Sequence, residues 1–214
     1  MALFDPTGMA AFAILRRELG FWRAVKVGWN VESRTRRGEP FLGWDLPDDE
    51  NEAQSRAQLG PALVLFEELC RSEDTLRARE ITAMVVEAGA HIFLRSSIGV
   101  IRRSDLIQLD QAGRETFVAE RMDRFPNATV TWDSISENHV SFRVTDCRFV
   151  RLCHQTGHPD LAPIFCAGDA TYFGSVEPGV TLERPATIAE GAAECPFTLR
   201  FSETVPEVDR IEPV

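Results

Sequence analysis

The sequence contains five cysteines but no pair at Cys-x-x-Cys spacing. The most specific signature of zinc and dithiol redox sites is therefore missing. No apolar run approaches the roughly 20 residues that span a bilayer, and the N-terminal apolar stretch lacks a basic leader and a cleavage site. We therefore expect a soluble, cytoplasmic protein that does not associate with membranes. In a reducing compartment its cysteines are expected to be free thiols or ligands.

Positive charge is also scarce, and only one of the 23 basic residues is a lysine. The formal net charge is −10, and the densest basic run, Arg34 to Arg37, is short enough to be a solvated surface. Sequence-independent binding of nucleic acid needs larger basic clusters, so we expect no nucleic-acid partner. The expected partner is a small-molecule substrate, and a homodimer is left open.

The first half of the chain carries apolar residues at helical spacing. With 214 residues and 44 % hydrophobic content, the chain is long enough for one domain with a substantial core. The period predicts four helices, over residues 9–27, 53–71, 75–97 and 104–122. Ser104 is the expected N-cap of the last helix, and Gly60-Pro61 is expected to break or kink the second.

A long loop is predicted over residues 28–51, where glycines, prolines and an acidic run interrupt the helical period. Its aromatic residues Trp29, Phe41 and Trp44 are the expected anchors onto the body of the protein. The end of the chain, from residue 203 to 214, is expected to be loose.

The second half alternates in a two-residue rhythm that is typical of strands. Thr129–Trp132 and Val140–Val144 flank a polar turn and predict a hairpin. A short helix should follow, and strands are predicted over 180–188 and 196–202. The fold class is therefore α+β, with N-terminal helices followed by hairpin, helix and hairpin that form one antiparallel sheet. We expect a single domain over residues 1–214.

The stretch IFCAGDATYF places two reactive side chains on the predicted short helix. Residues three apart share a helical face, so Cys166 and Asp169 should project together, with Tyr172 adjacent. A carboxylate beside a thiol accepts its proton poorly, because like charge and burial both raise the thiol pKa. An activated nucleophile would need a cation or metal, for which the candidates are Arg184, His154 and His158. A role in packing stays open, since an isolated cysteine is more often part of the core.

Metal binding is a further hypothesis. Thiolates and imidazoles suit zinc, so a site could form from Asp169 or a histidine together with the cysteines of the second half, Cys147, Cys153, Cys166 and Cys195. Because the spacing contains no paired-ligand motif, we expect no cofactor and leave zinc open.

The segments CAGDATYF and LERPATIAEGAAECPFTLRF resemble the L-2-amino-thiazoline-4-carboxylic acid hydrolase family. The resemblance covers Thr145 to Phe201 and consists of a Cys-x-x-Asp pair, an arginine, a threonine before a glycine, and a closing Cys-x-Phe. The same ending is similar to the 4-vinyl reductase-type domains, which bind small molecules and in some members zinc. Thr187 stands where those domains have a further cysteine ligand.

The hydrolase resemblance implies that water opens a C–N bond in a small carboxylated heterocycle such as an amino-thiazoline carboxylate. It implies Cys166 as the nucleophile, Asp169 as the general acid/base and Arg184 as the clamp for the carboxylate. Thr187 would add a hydroxyl donor. The remaining predicted site residues would contact the substrate, namely Tyr172, Cys147 and Cys195.

Two alternatives remain open on the sequence. In the first, Asp169 activates a water directly and the cysteines serve in packing or as ligands. In the second, the protein is a non-catalytic small-molecule-binding or sensor domain of the 4-vinyl reductase type, with or without zinc.

Overall fold

A computed structural model describes residues 5–99, 101–173 and 179–202. It confirms the α+β class, with helices first and one four-stranded antiparallel sheet. The helices in these ranges are α1 Pro6–Leu19, α2 Phe21–Arg36, α3 Glu50–Leu69, α4 Thr75–Ser97, α5 Arg103–Ile107, α6 Gln111–Met122, α7 Arg148–Gln155 and α8 Ala162–Tyr172. Among the described residues, no helix combines the length and apolar content that crossing a bilayer requires.

The first predicted helix is in fact two helices that meet at Gly20. The φ angle of Gly20 is +81°, a conformation that glycine adopts easily and other residues avoid. Helix α1 is N-capped by Asp5, whose carboxylate accepts a hydrogen bond from Gly8 N at 2.7 Å. The carboxylate thus satisfies one of the free amides of the first turn.

The predicted loop over residues 28–51 is shorter than expected, because α2 continues to Arg36. This part of α2 buries Val31 and Arg34. The guanidinium of Arg34 forms ion pairs with Glu39, at 2.6 Å, and with Glu67 of α3. Buried apolar contact and paired charge hold this segment helical against α3, so the irregular connection spans only residues 37–49.

This connection lies on α3 through two of its three predicted anchors. Phe41 and Trp44 form an edge-to-face pair, and the Arg56 guanidinium lies 5.6 and 5.3 Å from their ring centroids. Gly60 allows this approach, because a Cβ there would lie 3.2 Å from the Phe41 ring. Trp29 remains 69 % exposed on α2, so its assignment as an anchor is wrong.

Of the predicted break or kink at Pro61, the break does not occur, because helix α3 continues through this residue. A proline inside a helix costs about 3 kcal/mol. The side chains on either side of it, Leu59 and Leu63, are fully buried. Each buried leucine contributes roughly 1.5–3 kcal/mol, so core packing on both sides of Pro61 outweighs the cost of keeping the helix continuous.

The helix predicted over residues 104–122 is divided into α5 and α6. Ser104 lies inside α5, which begins at Arg103, so the predicted N-cap is wrong. The longer helix α6 has its own cap, because the Asp110 carboxylate accepts a hydrogen bond from Gly113 N at 2.8 Å. A local carboxylate–amide bond therefore restarts the helix after residues 108–110.

The sheet consists of β1 Ala128–Ile135, β2 His139–Cys147, β3 Val180–Glu183 and β4 Cys195–Phe201. Its strand order is β1-β2-β4-β3, and all neighbours are antiparallel. Strand β3 is shorter than the predicted 180–188, because Pro185 has no amide hydrogen to continue a ladder. The chain leaves the sheet there and forms a 3₁₀ turn over Ile188–Glu190.

Helix α7 was not predicted from the sequence. It follows β2 directly and places Val150, Leu152 and Cys153 in the core. The buried side chains form two clusters, one mainly among the helices and one between the sheet and helices α4–α6. Cys147, at the junction of β2 and α7, contacts both clusters.

Candidate active site

Helix α8 carries Cys166 and Asp169 and packs closely on α4. The contact depends on Gly168, where an added Cβ would lie 2.5 Å from Cβ of Ala90. Two helices approach this closely only when a residue at the contact lacks a side chain. The glycine in CAGDAT therefore sets the position of α8 relative to α4, and with it the position of Cys166 and Asp169.

Arg184 is joined to α8 by two hydrogen bonds. Its Nη1 donates to Asp169 Oδ2 at 3.3 Å, and its Nη2 donates to the carbonyl oxygen of Cys166 at 2.9 Å. The guanidinium carbon also lies 5.2 Å from the centroid of the Phe197 ring. Because Pro185 ends strand β3 at this point, the arginine turns away from the ladder toward α8.

A cavity of about 90 Å³ lies between α8 and the sheet. Three thiols line it, those of Cys147, Cys166 and Cys195, together with Asp169 and Arg184. The structure thus brings together five of the seven predicted site residues. They come from β2, α8, the segment after β3, and β4, so no short sequence motif contains them all.

The thiols of this cavity are held in their neutral form. Burial, reinforced by the neighbouring Cys147, raises the pKa of Cys166 to about 12, although Arg184 opposes the rise. Burial also raises the pKa values of Cys147 and Cys195. The sulfur of Cys195 accepts a hydrogen bond from Ile188 N at 3.1 Å. An ionised thiolate is therefore strongly disfavoured at Cys166.

Asp169, unlike the thiols, has a pKa close to physiological pH. Burial raises its pKa from 3.8 to about 6, and Arg184 limits the rise. The side chain keeps 28 % of its surface accessible, and it lines two adjoining cavities. A carboxyl group with a pKa near neutrality can both accept and donate a proton at physiological pH.

Two predicted site residues, Thr187 and Tyr172, make their contacts outside the two cavities. Thr187 is buried, and it caps the 3₁₀ turn by accepting from Glu190 N at 3.2 Å while its hydroxyl donates to Glu190 Oε2 at 2.8 Å. Tyr172 is 1 % exposed and packs against His91 and Phe173. Neither residue is among those that line the two cavities.

The histidines proposed as partners of Cys166 lie away from it. His158 Nε2 lies 3.1 Å from Glu67 Oε1 on α3, and His154 is exposed on α7. Of the three predicted cations, Arg184 is the one that reaches the Cys-x-x-Asp pair. In residues 5–99, 101–173 and 179–202, no group of three or more His, Cys, Asp or Glu side chains is arranged to hold a metal ion. Bound zinc stays a prediction that a metal analysis would test.

A larger cavity of about 390 Å³ adjoins the first. Both are lined by Asp169 and Asn127, and by aromatic residues that include Phe125, Phe149 and Phe165. Asn127 was missed as a site residue, because Pro126-Asn127 has the composition of an ordinary turn. Its place between the cavities depends on where β1 begins relative to α8, which the local sequence does not reveal.

A sequence model of the family described as L-2-amino-thiazoline-4-carboxylic acid hydrolase matches residues 56–199. The match covers more than half of the chain and contains all seven predicted site residues. It confirms the resemblance read between Thr145 and Phe201 and extends it back through the helices from α3 onward. No curated protein and no solved structure matches the chain. The chain belongs to the L-2-amino-thiazoline-4-carboxylic acid hydrolase family.

Proposed function

We propose that the protein is a hydrolase that opens the ring C–N bond of a small carboxylated heterocycle, such as an amino-thiazoline carboxylate. The observation that carries the proposal is the ion pair of Arg184, which lines the smaller cavity, with Asp169, which lines both cavities. Family membership supports hydrolysis as the reaction class. This chemistry requires a general base, an anchor for a carboxylate and a space that excludes bulk water.

Asp169 is the proposed general base, and water is the nucleophile. Asp169 accepts one proton from water as the oxygen attacks the amidine carbon, and it passes this proton to the ring nitrogen. The C–N bond then breaks, the carbon becomes a carbonyl that keeps its bond to sulfur, and the second proton passes through Asp169 to the departing amine. Both protons of the water end on that nitrogen, so the step is balanced without a cofactor.

Arg184 is the proposed anchor for the substrate carboxylate. It is the one cation among the described residues that line the smaller cavity, and guanidinium pairs well with carboxylate. Its bonds to Asp169 Oδ2 and to the Cys166 carbonyl fix its orientation before a substrate arrives. A fixed cation loses little conformational entropy on binding, which favours an oriented substrate.

The sequence left open whether Cys166 or a water activated by Asp169 is the nucleophile, and the ionisation of Cys166 distinguishes these alternatives. With a pKa of about 12, only about one thiol in 10⁵ is ionised at pH 7. This supports the division in which Asp169 activates water and Cys166 forms part of the wall. A nucleophilic thiol would need a proton acceptor, and the adjacent Asp169 carboxylate raises the pKa of Cys166 further.

The decisive experiment is incubation with 2-amino-thiazoline-4-carboxylate, with detection of the ring-opened product by its gain of one water in mass. We expect turnover by the wild type, loss of at least about a hundredfold in Asp169→Asn, which removes the base, and retained turnover in Cys166→Ala. Asp160→Asn, at an exposed carboxylate before α8, is the matched control. Full activity in Asp169→Asn would contradict the base assignment, and loss in Cys166→Ala would restore the thiol as nucleophile.

The second candidate function is ligand binding without turnover. It is favoured by the volume of the larger cavity, about 390 Å³, which is in the range of small-molecule sites. The resemblance to 4-vinyl reductase-type domains points to the same function. Under this alternative a bound ligand would be recovered unchanged, and no substrate would gain water in the assay above.

A further inference from the structure

The larger cavity is much bigger than an amino-thiazoline carboxylate requires. It has a volume of about 390 Å³ and lies among helices α1 to α4. The smaller cavity at Arg184 has about 90 Å³. Since a single small ring with a carboxylate would extend little beyond the shared wall at Asp169, most of the larger cavity is left for another part of a ligand.

The two cavities differ in the charge of the residues that line them. The charged residues lining the larger one are all acidic, namely Asp5, Glu32 and Asp169, and within the described residues no arginine, lysine or histidine lines it. Glu32 is paired with Arg36 at 2.9 Å, and the Asp5 carboxylate caps α1. The rest of the lining is mainly aliphatic and aromatic, with residues such as Phe12, Leu65 and Val86. An anionic group is therefore disfavoured there, and a neutral apolar group is favoured.

The two cavities adjoin at the residue that we propose as the base. Asp169 lines both, and Arg184 lies on the side of the smaller one. A ligand with its carboxylate at Arg184 and its amidine carbon beside Asp169 directs the exocyclic nitrogen away from the carboxylate, toward the larger cavity. A substituent on that nitrogen would enter the apolar space.

We propose that the preferred substrate is an amino-thiazoline carboxylate, or a close cyclic amidine, that carries a large neutral apolar substituent on its exocyclic nitrogen. The inference rests on the proposed hydrolase function and adds the substrate class. The carboxylate determines orientation at Arg184, and the apolar substituent supplies most of the binding free energy through burial among α1 to α4.

The first test uses N-phenyl-1-naphthylamine, a neutral apolar fluorophore, as a probe of the larger cavity in the full-length protein. We expect saturable binding to the wild type. Ala62→Phe fills the cavity from α3 and Val86→Phe fills it from α4, and each should weaken binding by about tenfold or more. Ala53→Phe, at an exposed position of α3 that does not line the cavity, should bind as the wild type does. Binding that is absent, or equal in all four proteins, would overturn the proposal.

The second test compares 2-amino-thiazoline-4-carboxylate with its N-(4-phenylbutyl) derivative in displacement of the fluorophore and in turnover. We expect the derivative to displace the probe and to have a kcat/KM higher by about tenfold or more, a preference that Ala62→Phe abolishes. Equal kcat/KM for the two compounds would refute the substrate class and leave the hydrolase intact. Displacement without hydrolysis of either compound would refute the proposed hydrolase function. The fluorophore result would still test whether the larger cavity binds an apolar group.

Discussion

The ionisation of Asp169 should destabilise the fold, and Asp169→Asn should remove that cost. Burial raises the pKa of this carboxyl from 3.8 to about 6, after the opposing attraction of Arg184 is included. Because the folded state binds the proton more tightly than the unfolded state, the fold loses stability as pH rises from 3.8 toward 6. A tenfold change in proton affinity is worth about 1.4 kcal/mol, so the full loss is about 3 kcal/mol.

Asparagine has the shape of the protonated acid and does not ionise. Near pH 4 the wild type and Asp169→Asn should therefore have similar free energies of unfolding. Above pH 6 the variant should be more stable by up to about 3 kcal/mol, and the difference should then stay constant with pH. Urea unfolding of both proteins, followed by circular dichroism in steps from pH 4 to pH 8, measures the difference directly.

Asp160→Asn serves as the control, because this carboxylate is exposed near the start of α8. Its stability relative to the wild type should not change over the same pH range by more than about 0.5 kcal/mol. If Asp169→Asn is less stable than the wild type at pH 8, the ion pair with Arg184 outweighs the burial of the charge. A difference that is independent of pH would refute the raised pKa, and with it the physical basis for a base that acts near neutrality.

Two further predictions concern α8. Iodoacetamide at pH 7 should leave Cys166 unmodified in the folded protein, because burial raises its pKa to about 12, whereas peptide mass mapping should find the exposed Cys70 modified first. Fast, selective modification of Cys166 would instead indicate a nucleophile. Gly168→Ala should lower the free energy of unfolding by about 1–3 kcal/mol through overlap with Ala90. In Gly89→Ala, a control on α4 whose added Cβ would lie 3.4 Å from Thr7, the free energy of unfolding should be unchanged or rise by up to about 1 kcal/mol.

The parts of the fold that follow local rules were accessible from the sequence. The β1–β2 hairpin and the α+β class follow from hydrophobic periodicity, which records which face of each element is buried. The helix that carries Cys166 and Asp169 follows from the start and stop signals on either side of it. Errors arose where packing outweighed local preference. Pro61 stays inside α3 because Leu59 and Leu63 are fully buried beside it, and no local pattern reveals that burial.

The sequence by itself determined that Cys166 and Asp169 lie on one helical face, since they are three residues apart, and the family motifs pointed to Arg184. The tertiary structure alone decided the protonation of these groups, on which the proposed roles depend. Burial raises the pKa of the thiol and of the carboxyl in the same cavity, so the thiol stays neutral while the carboxyl titrates near neutrality. The apolar cavity beside Asp169 also exists only in the folded protein. Burial and charge proximity depend on residues distant in the chain, so they arise only when the helices and the sheet pack together.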